Sequence, residues 1–91
     1  MNKRTYYSNA LNEIGNRLEN RLPIFGYNNS IKIDEDNELY LFDHGATYSA
    51  EIWDNSTGEI AETVAEALVM GTGDFDDDIY YLIDRVFEDW D

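Results

Sequence analysis

A chain of 91 residues with 20 acidic and 6 basic side chains carries a formal charge of −14 at neutral pH, which disfavours direct binding to nucleic acid or to an anionic membrane and points to a basic protein surface as partner. Hydrophobic residues make up 43% of it and aromatic residues 14%, enough for one small core, so residues 1–91 read as a single folded domain and not as a disordered acidic tail. With no cysteine there is no disulfide, thiolate nucleophile or zinc–thiolate site, and the location expected is cytoplasmic.

From about Ser8 to Arg21, Leu11, Ile14 and Leu18, followed by Leu22, recur at spacings of three and four and predict a helix that Pro23 ends. A loop from Ile24 to Ser30 follows. Three short segments then have strand character: Ile31-Lys32-Ile33, Leu39-Tyr40-Leu41-Phe42, and Tyr48 to Trp53. Asp34-Glu35-Asp36-Asn37 and Asp43-His44-Gly45 separate them as hairpin turns, so an antiparallel meander is expected. Ser56-Thr57-Gly58-Glu59 has the spacing of a capping box. It predicts a helix to Met70 that buries Ile60, Val64 and Leu68, with Ala61 and Ala67 beside them and Glu59, Glu62 and Glu66 on the opposite face. After Gly71-Thr72-Gly73 a last helix runs from about Asp74 or Asp76 to Trp90, with Phe75, Ile79, Leu82, Ile83, Val86 and Trp90 facing inward. Asp77, Tyr81, Asp84, Glu88 and Asp91 face outward. The expected fold is α+β, in the order α-β-β-β-α-α, with a three-stranded antiparallel sheet.

Residues 1–32 hold five basic and two acidic side chains, whereas residues 33–91 hold eighteen acids and one base, Arg85. The two parts are therefore +3 and −17, with no linker between them, which describes one polarised surface. Asp74, Asp76 and Asp78 alternate like calcium-loop ligands, as do Asp34, Asp36 and Glu38. The glycine and glutamate required at the sixth and twelfth positions of an EF-hand are replaced by Ile79 and Arg85, and by Leu39 and Gly45. These acids are expected instead to cap a helix and to form a hairpin turn, with no metal or cofactor. His44 lies in a turn, no phosphate loop or nucleophile elbow is present, and no catalytic residue or enzymatic activity is expected. No apolar run approaches a membrane span, and Met1-Asn2-Lys3-Arg4-Thr5 leads into polar residues, so neither a signal peptide nor a membrane location is expected.

What stands out is acid without compensating base. Side chains three or four apart on a helix are roughly 5–6 Å apart, near the spacing of successive phosphates on a DNA strand. Glu59, Glu62 and Glu66 would form one such stripe, Asp77, Asp84, Glu88 and Asp91 a second, and Asp34, Glu35, Asp36 and Glu38 a cluster on the first hairpin. Like charges at these spacings destabilise a helix, and surfaces that serve only solubility intersperse both signs. The pattern therefore favours a nucleic-acid mimic that occupies a basic groove. Tyr40, Phe42 and Trp53 alternate away from Leu39, Leu41 and Ile52, which leaves them either exposed or covered by a further helix; Tyr80 and Tyr81 cannot both face one core.

The segment from Asn55 to about Val86 resembles the small acidic phage proteins that inhibit bacterial defence nucleases, in particular the anti-CRISPR proteins that inhibit Cas9. It does so through the Asn-Ser-Thr-Gly-Glu helix start, the Ile60/Val64/Leu68 helix, a glycine-containing loop and Asp76-Asp77-Asp78-Ile79-Tyr80 opening the final helix. The Tyr-rich hairpin departs from that pattern. The resemblance implies a protein of the bacterial host cell that binds the guide-loaded nuclease and covers the arginine-rich site reading the protospacer-adjacent motif; repulsion between acidic faces disfavours self-association through them, so a monomer is expected, with an apolar dimer contact left open. Asp34, Glu35, Asp36, Asp76, Asp77 and Asp78 would meet those arginines, with Tyr80 and Tyr81 packed around them. Asp74, Glu59, Glu62, Glu66, Asp84 and Glu88 complete the candidate partner-binding residues. The competing expectations are an immunity protein, antitoxin or restriction inhibitor that plugs another nuclease, and a phage structural or regulatory protein whose charge serves solubility.

Overall fold

A computed structural model describes residues 3–90 of the chain. Helix α1 (Lys3–Asn20) and a single 3₁₀ turn (Tyr27–Asn29) lead into strands β1 (Ile31–Lys32), β2 (Asn37–Asp43), β3 (Thr47–Asp54) and β4 (Glu62–Met70), and helix α2 (Phe75–Trp90) follows. The four strands form one antiparallel sheet in the order β1-β2-β3-β4. Both helices lie on the same face of it, α2 over β3 and β4 and α1 beside α2 and over β1. The domain is therefore α+β, in two layers. None of its helices is long and apolar enough to cross a membrane among the described residues.

Ala10 and Ile14, one helical turn apart, are the buried residues of α1, and Tyr6, Tyr7, Leu11 and Leu18 pack around them. The helix begins about a turn and a half before the expected start. Its end is a left-handed cap: Arg21 has φ 55°, the Leu22 amide reaches back to the Arg17 carbonyl at 2.8 Å, and the Arg21 amide to that of Leu18 at 3.4 Å. Pro23 follows the cap. Arg17 also holds the next loop, donating to the carbonyls of Pro23, Asn29 and Ser30 at 3.1, 2.8 and 3.0 Å and pairing with Glu13 at 3.0 Å.

β2 and β3 follow period-two patterning. Leu39, Leu41, Ala50 and Ile52 face the helices and are fully buried, while Glu38, Tyr40, Phe42, Ser49, Glu51 and Trp53 take the other face. Between these strands Gly45 sits at φ 92° and donates its amide to the Asp43 carboxylate at 2.8 Å, a turn that disfavours a β-carbon.

The segment expected to form the middle helix is instead the loop after β3 and the strand β4. Ser56 does not cap a helix: its amide donates to the Asp54 carboxylate at 2.8 Å, and the Thr57 hydroxyl donates to the Ile60 carbonyl at 2.7 Å. Ile60, Val64 and Leu68, expected in the core, are 72%, 37% and 65% exposed, and Ala65 and Val69 are buried in their place. The physical reason is a coincidence of periods. Four residues advance a helix by about 400° and a strand by two whole pleats, so positions i, i+4 and i+8 share a face in either geometry. The inward residues Ala65, Ala67 and Val69 are mostly alanine, small enough for α2 to lie close over β4, and they leave little apolar signature of their own.

α2 matches the expected inner face: Ile79, Leu82, Ile83 and Val86 are almost wholly buried. Phe87 is buried as well, and Trp90 stacks on Tyr6 with ring centroids 5.2 Å apart. Each fully buried aliphatic side chain here contributes about 1.5–3 kcal/mol of burial free energy. Phe75, expected on the inner face, is partly exposed at the rim, where it meets the rings of Phe25 and Tyr48.

Candidate protein-binding surface

The acidic residues at the start of α2 divide by role. Asp74 caps the helix, accepting the Asp77 amide on its carboxylate at 3.2 Å and the Asp78 amide on its carbonyl at 2.9 Å. Asp76 and Asp77 are exposed in the first turn, where the positive end of the helix dipole favours them. Asp78 is only 4% exposed and accepts the Thr72 amide and hydroxyl at 2.9 and 2.6 Å. It closes the loop ahead of α2 and is not available to a partner.

Further along α2, Asp84 accepts the Tyr7 hydroxyl. That bond, with burial and the nearby negative charge, pushes the Tyr7 phenol up to about 12. Glu88 lies 3.7 Å from Arg85. A β-carbon at Gly15 would stand 3.9 Å from the Tyr80 hydroxyl, so Tyr80 reaches α1 while remaining 36% exposed, and Tyr81 is 56% exposed. The outer stripe of α2 is thus Asp77, Tyr81, Asp84 and Glu88; Asp91 lies outside the described residues.

The first hairpin is a built turn. Asp34 accepts the amides of Asp36 and Asn37 at 2.7 and 2.8 Å and the Asn37 side chain at 3.0 Å. Burial opposes ionisation of Asp34, but hydrogen bonds from Tyr6, from those amides and from Asn37 outweigh it and hold the carboxyl below the usual range. Asp34 is therefore the scaffold of the turn, and Glu35 and Asp36 are the exposed acids it presents.

Glu59, Glu62 and Glu66 do not form the expected helical stripe. Glu59 lies in the loop, and Glu62 and Glu66, four residues apart in a strand, stand about 13 Å apart. In exchange the sheet creates an arrangement that helical spacing did not foresee. Glu66 lies directly across from Glu51, and Glu51 across from Tyr40, so two carboxylates face each other on neighbouring strands, where like charges destabilise a sheet. The Trp53 indole donates to Glu51 at 3.0 Å, and Glu38 accepts the Tyr40 hydroxyl at 3.1 Å and the Asn55 amide at 3.2 Å.

Around these acids runs a ladder of rings. Tyr27, from the 3₁₀ turn, meets Phe42 at 4.8 Å and Tyr40 at 6.4 Å, Tyr40 meets Trp53 at 4.7 Å, and Phe42 leads on to His44, which bonds Ser49 at 2.7 Å. Both helices are on the opposite side, and among the described residues only the 3₁₀ turn, through Tyr27, reaches over this face, leaving Tyr40, Phe42 and Trp53 half-buried. Alternation in β2 and β3 had left Tyr40, Phe42 and Trp53 either exposed or covered by a helix. The helix that could have covered them is β4.

The bases are placed elsewhere. Lys3 donates to the Trp90 carbonyl, Arg17 secures the loop after α1, and Arg85 pairs with Glu88. Lys32 lies across from Glu38 at the far strand. Among the described residues no base forms an ion pair with Glu38, Glu51, Glu62, Glu66, Asp76 or Asp77. The surface contains no described cluster suited to a metal ion. Comparison with protein-family models, curated proteins and solved structures finds no match to this chain.

Proposed function

We propose that this protein is an inhibitor that binds the basic nucleic-acid groove of a defence nuclease as an acidic DNA mimic. The observation that carries this reading is the separation of charge in the fold. Lys32 lies across from Glu38 and Arg85 shares a groove with Glu66, yet among the described residues no ion pair engages the acids of β4, the open sheet face or the first turn of α2, while Lys3, Arg17 and Arg85 are held in contacts of their own. A surface serving solubility alone would intersperse the two signs. Charge of one sign on a rigid scaffold steers association with a basic groove and releases the anions held there.

The target to test first is a CRISPR effector such as Cas9, whose motif-reading arginines are a concentrated basic site. Carboxylates on the first hairpin and at the start of α2 would meet those arginines through Glu35, Asp36, Asp76 and Asp77, with Asp34, Asp74 and Asp78 holding the turns that present them. Guide-loaded Cas9 is mixed with equimolar protein before or after the target duplex, and cleavage is followed. Inhibition only when the protein precedes the DNA, weakening steeply as salt rises, supports competition for the DNA site. No inhibition in either order, and no capture of restriction or toxin nucleases, refutes the proposal.

A further inference from the structure

The open sheet face combines half-buried rings with no helix over them, carboxylates in the rows between them and, among the described residues, no ion-paired base. Across the sheet the rows run Lys32–Glu38–Trp53, Tyr40–Glu51–Glu66 and Phe42–Ser49–Leu68, so the one base on this face stands in the first row and the Glu51–Glu66 row has none. A shallow groove follows β3 and β4 between Ser49, Glu51, Glu66 and Leu68. The facing Glu51 and Glu66 oppose folding as they stand, and a cation between them would reverse the sign of that interaction. The neighbouring rings select the kind of cation. A planar guanidinium stacks on a tyrosine or tryptophan face while its N–H groups meet a carboxylate in the plane, a geometry an ammonium cannot match.

We propose that this face docks an arginine-bearing extended segment of the basic partner, with guanidinium groups on the rings of Tyr40 and Trp53 and between Glu51 and Glu66. The inference rests on the reading of the protein as a ligand of basic proteins and adds a set of arginine contacts on the sheet to those of the first hairpin and α2. A nucleic acid would also find stacking surfaces here, but it would bring phosphates against Glu38, Glu51 and Glu66 on a chain of charge −14. A second copy meets the same obstacle, because two such faces would set glutamate against glutamate. Charge complementarity leaves a cationic chain as the occupant.

The test uses the whole protein and two probes, octa-arginine and octa-lysine. The Trp53 indole N–H, which donates to Glu51, is followed by ¹H–¹⁵N spectra and assigned by its survival in Trp90→Phe. Octa-arginine is expected to shift that signal and to bind about five-fold or more tighter than octa-lysine near physiological ionic strength. The double variant Glu51→Gln/Glu66→Gln, isosteric and freed of the facing charges, is expected to lose about ten-fold or more in octa-arginine affinity. Glu19→Gln, at an exposed acid of α1 outside the candidate surface, is expected to lose less than about two-fold.

Equal affinity for the two peptides, with equal losses at both sites, would show diffuse charge attraction and overturn the arginine site while the basic-partner reading stands. Inhibition of a nuclease that survives Glu51→Gln/Glu66→Gln undiminished would also overturn it and leave the proposed function intact. Docking of octa-arginine on this face by a protein that inhibits no nuclease would have the opposite meaning. A dimer in sedimentation that the double glutamine variant strengthens would assign the face to a second copy and refute the inference.

Discussion

Leu68 and Val69 are sequence neighbours with opposite fates, and exchanging each for alanine tests the strand β4 directly. Val69 is 6% exposed beneath α2, and Leu68 is on the open side. Val69→Ala removes two methyl groups, about 1.6 kcal/mol at ~0.8 kcal/mol each, and the space left unfilled raises the loss to about 2–3 kcal/mol. A domain of this size has total stability of about 5–13 kcal/mol, and each kcal/mol moves the midpoint by about 4–8 °C, so a fall of about 10–15 °C is expected. Leu68→Ala should change stability by no more than about 0.5 kcal/mol. Thermal and urea unfolding followed by far-ultraviolet circular dichroism measure both. A helix over these residues would reverse the order, because it would bury Leu68 and would welcome alanine at 69 on propensity alone. A larger loss for Leu68→Ala than for Val69→Ala refutes the strand and with it the pairing of Glu51 with Glu66.

Four further outcomes are expected. Asp78→Ala deletes the buried carboxylate that accepts the Thr72 amide and hydroxyl and should cost about 1.5–3 kcal/mol in urea unfolding, whereas Asp77→Ala, in the same helical turn but exposed, should cost under about 1 kcal/mol. Tyr7 has a folded-state pKa of about 12 against 10.0 for the ordinary phenol. Its contribution is therefore complete below pH 10 and disappears as pH rises from 10 to 12; Tyr7→Phe should abolish that part of the alkaline loss, and phenolate absorbance at 295 nm, in which Tyr6 and Tyr40 are also shifted upward, should lose its latest component in the variant. Asp34 is shifted the other way, below 3.8, so its contribution is present above that pH and is lost as pH falls through the lower folded value; Asp34→Asn should flatten this acid limb in pH-dependent unfolding. Arg21→Gly relieves the positive φ at the end of α1 and should raise stability by up to about 1 kcal/mol; a loss of stability would show that the cap tolerates a side chain without strain.

Local pattern was sufficient wherever one period dominated. In α2, Ile79, Leu82, Ile83 and Val86 mix spacings of three and four, which no strand can place on one face, and the structure buries all four. In β2 and β3 the alternation of Leu39, Leu41, Ala50 and Ile52 with polar and aromatic residues has no helical equivalent, and the Asp- and Gly-bearing turns between the strands set their pairing. The helix cap at Asp74 and the turn at Asp34 were legible because short carboxylates beside free amides have few other roles.

The candidate surface was legible as charge and not as geometry. That residues 33–91 carry eighteen acids and one base is a property of the sequence. Which acids are free is not: Asp78 faces inward because Thr72 meets it across a loop, and Asp84 is bonded from α1 across 77 residues of chain. The arrangement of Glu51, Glu66, Tyr40 and Trp53 depends on β4 being a strand. At Ile60, Val64 and Leu68 a spacing of four satisfies helix and strand alike, and the alanines between them are neutral to both. The decision falls to tertiary terms: β3 satisfies its free backbone edge by pairing with β4, and α2 packs close over Ala65 and Ala67. Sequence alone thus determined the charge, the α+β class and the amphipathic elements, because these follow from composition and period. Tertiary structure decided that Glu62–Met70 join the sheet and leave its aromatic, acidic face without a covering helix, because only pairing and packing with distant residues break the tie between two geometries of equal local merit.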